Sequence, residues 1–153
     1  VKQFLIIAAL IAALILIPVV AMKTAKGVNN PGNIRNSTSK FTGETTKEGD
    51  AFKSFSSPAY GYRAMIVLLK NYYNKGFTTV RSIINRYAPS SENPSSSYIS
   101  FVSSALGVSP DADVHDIIFS DNIKNLLTPM TKFEQGKSFT VNPDHITQAL
   151  NLA

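Results

Sequence analysis

A mostly α-helical protein, with an N-terminal transmembrane helix followed by a small helical domain carrying one β-hairpin, is the fold class this sequence predicts. Three observations point to it. An uncharged apolar run fills the opening residues, apolar side chains then recur at helical spacing between proline and glycine boundaries, and strand character is confined to one glycine-punctuated stretch. The expected organisation is a transmembrane anchor over residues 1–22, a basic loop over 23–40, and a helical domain with a small hairpin over 41–153.

The anchor is read from Phe4 to Met22, 19 residues without a charge, of which 12 are Leu, Ile, Phe or Val. As a helix such a run extends roughly 28 Å, close to the bilayer core of about 30 Å. A secretory signal peptide is the competing reading, with Lys2 as its basic end and Val19 and Ala21 before a cleavage site, but the apolar run is longer than a usual signal core. Lys23, Lys26 and Arg35 follow the run, which by the positive-inside rule places the domain on the cytoplasmic face.

Residues 23–40 show no apolar period and carry adjacent Pro31 and Gly32, so they read as a loop over the domain. Between Phe41 and Phe55 the apolar residues thin out and Gly43 and Gly49 punctuate the chain, which predicts the hairpin. Ser57 and Pro58 mark the start of a first helix that ends before Gly76, with Met65, Leu68, Leu69 and Tyr72 as its apolar stripe. A second helix runs from about Thr78 to Tyr87 and stops at Pro89. Asn93 and Pro94 open a third, which carries Tyr98, Phe101, Val102 and Leu106 inward and closes at Gly107. Asp113 opens a short turn around Ile117 and Ile118, Asp121 a helix that closes at Gly136, and Asn142 with Pro143 a terminal helix. Leu68, Leu69, Ile84, Phe101, Leu126 and Leu127 are the predicted core.

Composition narrows the chemistry. Without cysteine there is neither a disulfide framework nor a thiolate metal site, and His115 and His145 are too far apart in sequence to suggest a ligand set, so no metal and no cofactor is expected. The net charge of +5 is unevenly spread: residues 23–87 hold eleven Lys/Arg against three Asp/Glu, and residues 88–153 hold three against seven. A basic first half suits anionic lipid, and suits nucleic acid as well.

Four motifs in order resemble a family of bacteriophage virion proteins. They are Asn29-Asn30-Pro31-Gly32-Asn33-Ile34-Arg35, the F-x-x-F-x-S-P-x-x-G-x-R-A stretch from Phe52 to Ala64, the A-P-x-x-E-N stretch from Ala88 to Asn93, and the E-x-G at Glu134. The family includes structural proteins of tailless, membrane-containing phages of the corticovirus kind. The resemblance spans nearly all of the chain after residue 26 and implies a lysozyme-like or transglycosylase-like fold. Tyr87 stands where relatives often have tryptophan, and Phe133 where they have histidine.

Glycan cleavage by a lytic transglycosylase route needs one carboxylic acid of raised pKa, whereas hydrolysis usually needs two. Glu134 and Glu92 are the candidate catalytic acids. Glu134 sits at a helix end, where the macrodipole disfavours its charge, and its plain alternative is an exposed carboxylate past the last turn. Glu92 precedes a helix cap, where its plainer reading is a capping-region charge. Asn30, Asn33, Arg35, Arg63 and Asn93 are candidates to bind substrate or partner. A tight Asn-Pro-Gly turn, and an ion pair from Arg63 to Glu92 or Glu134, are the structural alternatives.

The function expected first is a virion membrane structural protein that tethers the viral membrane to the capsid or vertex. Its partners would be the lipid bilayer and capsid or vertex proteins, and its place the virion membrane, reached from the host inner membrane during assembly. A virion-associated peptidoglycan-cleaving enzyme, lytic transglycosylase or glycosidase, is the alternative. The basic segment keeps a third reading open, contact with packaged nucleic acid.

Overall fold

The computed structural model describes residues 26–89 and 95–153, which form six helices. Helix α1 (Pro58–Asn74) starts where the sequence places it. The Ser57 side chain accepts from the Tyr60 amide at 3.5 Å, proline occupies the first turn, and Gly76 takes a left-handed φ of +91° past the end. Helix α2 (Val80–Tyr87) is capped by Thr79, whose hydroxyl receives the Ser82 amide while Ser82 reaches back to the Thr79 backbone. Helices α3 (Ser95–Leu106), α4 (His115–Ile118) and α5 (Ile123–Gln135) follow, and α6 (Pro143–Leu152) is capped by Asn142 on the Asp144 amide at 2.9 Å.

Helix α1 is the centre of the molecule, packed against α6 on one side and against α2, α4 and α5 elsewhere, while α3 lies against α2 and α5. Leu69, Ile84, Leu126 and Leu127 are fully buried, as their stripes predict. Leu68 and Phe101 are only half-buried; Leu68 lines a groove, and the Phe101 ring lies 5.9 Å from that of Phe133. Pro129 sits inside α5 without ending it. It removes the bond to the Asn125 carbonyl, and Asn125 is exposed, so water can replace what the helix loses.

The predicted fold class needs correction on two counts. First, no hairpin forms among the described residues: the pairing between residues 28 and 56 consists of isolated antiparallel bridges, Arg35 with Phe52 and Glu44 with Phe55. Left-handed turns at Gly43 and Gly49 redirect the chain, so the backbone bonds stay in short separate groups, such as the Lys53 amide to the Ile34 carbonyl and the Thr45 amide to the Ser54 carbonyl, and no continuous ladder extends. Second, no helix among the described residues is long and apolar enough to cross a membrane; each is amphipathic, and the longest, α1, has 17 residues and carries Arg63 and Lys70. The expected transmembrane helix is therefore not an element of the described fold. Residues 1–22, to which it was assigned, lie outside the described residues.

Candidate functional site

Helices α1, α2 and α5 all end at one groove of about 740 Å³, through Tyr72 and Lys75, Arg86 and Tyr87, and Phe133 and Glu134 respectively. Its opposite wall is the loop running from Asn33 to Phe41, with Phe52 beside it. That loop is seated by close backbone approach. A β-carbon on Gly61 would lie 2.1 Å from the Asn29 carbonyl oxygen, and one on Gly32 would lie 2.2 Å from the Tyr87 hydroxyl, so only glycine lets the loop settle on α1 and α2. Asn29 and Asn33 adopt left-handed φ values of 53° and 47°, which asparagine tolerates better than most residues.

Asn30 is the internal clamp of this turn. Its side-chain amide donates to the carbonyls of Ile34 at 3.0 Å and Lys53 at 2.9 Å, and its oxygen accepts from the Ile34 amide at 2.8 Å. With 4% exposure it is occupied by the fold and does not reach the groove. Asn33 does reach it, donating to the Glu134 carbonyl at 2.8 Å and to its carboxylate at 3.1 Å. Gln135 closes the arrangement by donating to the Asn33 side chain at 3.0 Å and to the carbonyls of Asn30 and Pro31.

Glu134 thus stands at the end of α5, partly buried in the groove wall and fixed from the side. Burial pushes its pKa up, against the lowering effects of Asn33, of the Tyr98 hydroxyl, and of the Lys26 and Arg35 charges. Lys26 donates to the Glu134 backbone carbonyl at 2.9 Å, where it caps the helix end. Tyr98 is fully buried and its ring stacks on Phe133 with centroids 4.0 Å apart. Its hydroxyl is buried without a hydrogen-bond partner, and the Glu134 charge adds to what raises its pKa. Burial raises the Tyr87 and Tyr98 hydroxyls well above the usual phenol range, with the Glu134 charge adding to the effect, so both are neutral donors at any working pH. Tyr87 spends its proton on the Gly32 carbonyl at 2.6 Å.

Of the residues singled out in the sequence, Glu134, Asn33 and Arg35 meet at the groove, with the Arg35 guanidinium 5.3 Å from the centre of the Phe52 ring. Asn30 lies beneath it. Arg63 forms no pair with Glu134; its Nε donates to the Leu152 carbonyl at 2.7 Å, where it caps α6. Glu92 and Asn93 lie outside the described residues. Sequence reading missed Tyr98 and Gln135 as neighbours of the acid, and Lys26, Tyr72 and Arg86 as groove residues. Gln135 was the most accessible of these, since it adjoins Glu134. The others carry no local signal, because Tyr98 and Tyr72 read simply as core positions of their helices.

No protein-family model matches the chain. It is similar to Protein P5 of Pseudoalteromonas phage PM2, with 29% identity over 123 residues that cover 76% of this chain and 74% of that protein.

Proposed function

We propose that this chain is a phage virion protein whose domain binds and cleaves a glycan strand, peptidoglycan being the substrate class, with Glu134 as the general acid. The observation that carries this reading is the placement of Glu134: a partly buried carboxyl of raised pKa, held by Asn33, on the wall of an open groove. A general acid must hold its proton more tightly than an ordinary carboxyl, and burial shifts Glu134 in that direction. Glu134 delivers its proton to the leaving glycosidic oxygen as the bond to the anomeric carbon breaks. The resulting carboxylate then takes the proton from a hydroxyl of the same sugar as that oxygen bonds to the anomeric carbon, which closes an internal anhydro ring and restores the acid. One carboxyl is enough for this route, whereas hydrolysis calls on a second to activate water.

Zymography on peptidoglycan with the purified protein tests the reading. A cleared band is expected from the parent and none from Glu134→Gln, whose folding is checked by circular dichroism. If the parent clears nothing, or if Glu134→Gln clears as well as the parent, the acid assignment fails and a structural role in the capsid or vertex becomes the reading of this domain.

A further inference from the structure

The groove is strongly basic. Lys26, Arg35, Lys40, Lys75 and Arg86 line it, and Glu134 is the one carboxylate among the described lining residues. Helix ends explain part of this, because α1, α2 and α5 each bring roughly half a negative charge to the groove, and cations there are ordinary dipole partners. Three half charges do not balance the excess. Lys40 is met by Glu44 at 3.2 Å, but exposed Lys26, Lys75 and Arg86 bring three full charges against about one and a half from the helix ends, to which Glu134 adds at most one when ionised. These three cations come from three separate elements: Lys26 from the loop, Lys75 from the cap of α1, and Arg86 from the last turn of α2, its guanidinium 5.5 Å from the centre of the Tyr72 ring.

We infer that the groove selects a glycan strand bearing carboxylates, with Lys26, Lys75 and Arg86 as the residues that read those charges. The inference rests on the glycan-cleaving reading above and adds its charge specificity. Cations dispersed over three elements suit a polymer that carries a carboxylate once every sugar or two. A nucleic acid backbone, with a charge about every 1.7 Å in a duplex, calls for a denser basic track. Two aromatic faces that could otherwise stack bases, Phe52 and Tyr72, are covered by the guanidiniums of Arg35 and Arg86.

The test measures binding by full-length Glu134→Gln, so that cleavage does not intervene. Four probes are compared: peptidoglycan strands with intact stem-peptide carboxylates, the same strands with those carboxylates amidated, a neutral chitooligosaccharide, and a duplex DNA of similar length. The acidic strands should bind about tenfold more tightly than the amidated ones at low salt, as a few exposed charge pairs allow, and the advantage should fade at high salt. Adding Lys75→Gln and Arg86→Gln should abolish that advantage, and Lys124→Gln, outside the groove, should leave it intact. Equal binding of acidic and amidated strands, or no binding of either, overturns the inference. DNA bound as tightly as the acidic strands also overturns it and identifies a nucleic acid groove. A parent that clears no peptidoglycan, beside a Glu134→Gln variant that still prefers acidic strands, overturns the acid role of Glu134 alone.

Discussion

Glu134 is held in a position that helps chemistry and costs stability. Its pKa is raised in the folded protein, so the folded state binds the proton more tightly than the unfolded chain. The stability linked to this proton is therefore complete below the ordinary carboxyl value of 4.5 and is lost as the pH rises through the folded value. Glutamine keeps an oxygen for the Asn33 amide and carries no charge to bury. Glu134→Gln should thus be more stable than the parent at neutral pH, within the roughly 0.5–2 kcal/mol commonly gained when a strained functional group is relieved. Below pH 4.5 the gain should disappear. Thermal melts at a series of pH values check this, and a gain that persists unchanged into acid would show that burial of the charge is not its origin. The direction of its shift was legible in the sequence from the helix end, but the cause was not, since burial is what raises the pKa. Its partners were not legible either, because Asn33 is 101 residues away and no local pattern records that distance.

At the scale of elements, what the sequence showed well were the helices marked by side chains that act locally. Ser57 with Pro58, and Asn142 with Pro143, cap α1 and α6 as expected, because capping is settled within four residues. Asp121 was a poorer marker: α5 begins at Ile123 with Asn122 before it and no side-chain cap, and Ser120 organises the preceding turn by accepting the Asn122 amide at 3.1 Å. The expected hairpin failed for a related reason. Glycine signals a turn without saying whether strands flank it, and here short groups of backbone bonds alternate with bonds to side chains such as Asn30, Thr46 and Ser54. The glycines themselves are unequal. A β-carbon on Gly49 would meet open space, so Gly49→Ala should cost only the left-handed backbone strain, about 1 kcal/mol. At Gly61 the same atom meets the Asn29 backbone, which cannot move without lifting the loop, so Gly61→Ala should cost up to about 3 kcal/mol and weaken glycan binding as well. Urea midpoints for the two variants should separate them, and equal midpoints would mean that the loop is not seated on α1 in solution.

For the molecule as a whole, helices build the floor of the groove and a loop builds its far wall, so the groove exists only while that loop stays docked. The dock is a polar pin. Lys53 is fully buried, and its ammonium donates to the carbonyls of Ser39 at 2.7 Å and Ser37 at 3.3 Å and to the Glu44 carboxylate at 3.1 Å. Burial alone would push the Glu44 pKa up, but the Phe41 amide, Thr46, Lys53 and Lys40 outweigh it and bring the value down to about 2. Because the folded value is depressed, the linked stability is present above the ordinary 4.5 and is lost as the pH falls from there toward 2, opposite in sign to the effect at Glu134. Lys53→Met leaves Glu44 with the Phe41 amide, Thr46 and Lys40 but takes away its buried cation, so it should destabilise the protein at pH 7 by up to about 3 kcal/mol. As the pH falls through 4.5 toward 2, Glu44 becomes protonated in the parent too, and the difference between parent and variant should narrow. Denaturant melts of both proteins at pH 7, 4 and 2.5 measure that difference directly. A gap that stays constant across the series would place the cost of Lys53→Met in lost packing and leave the pin without an electrostatic role.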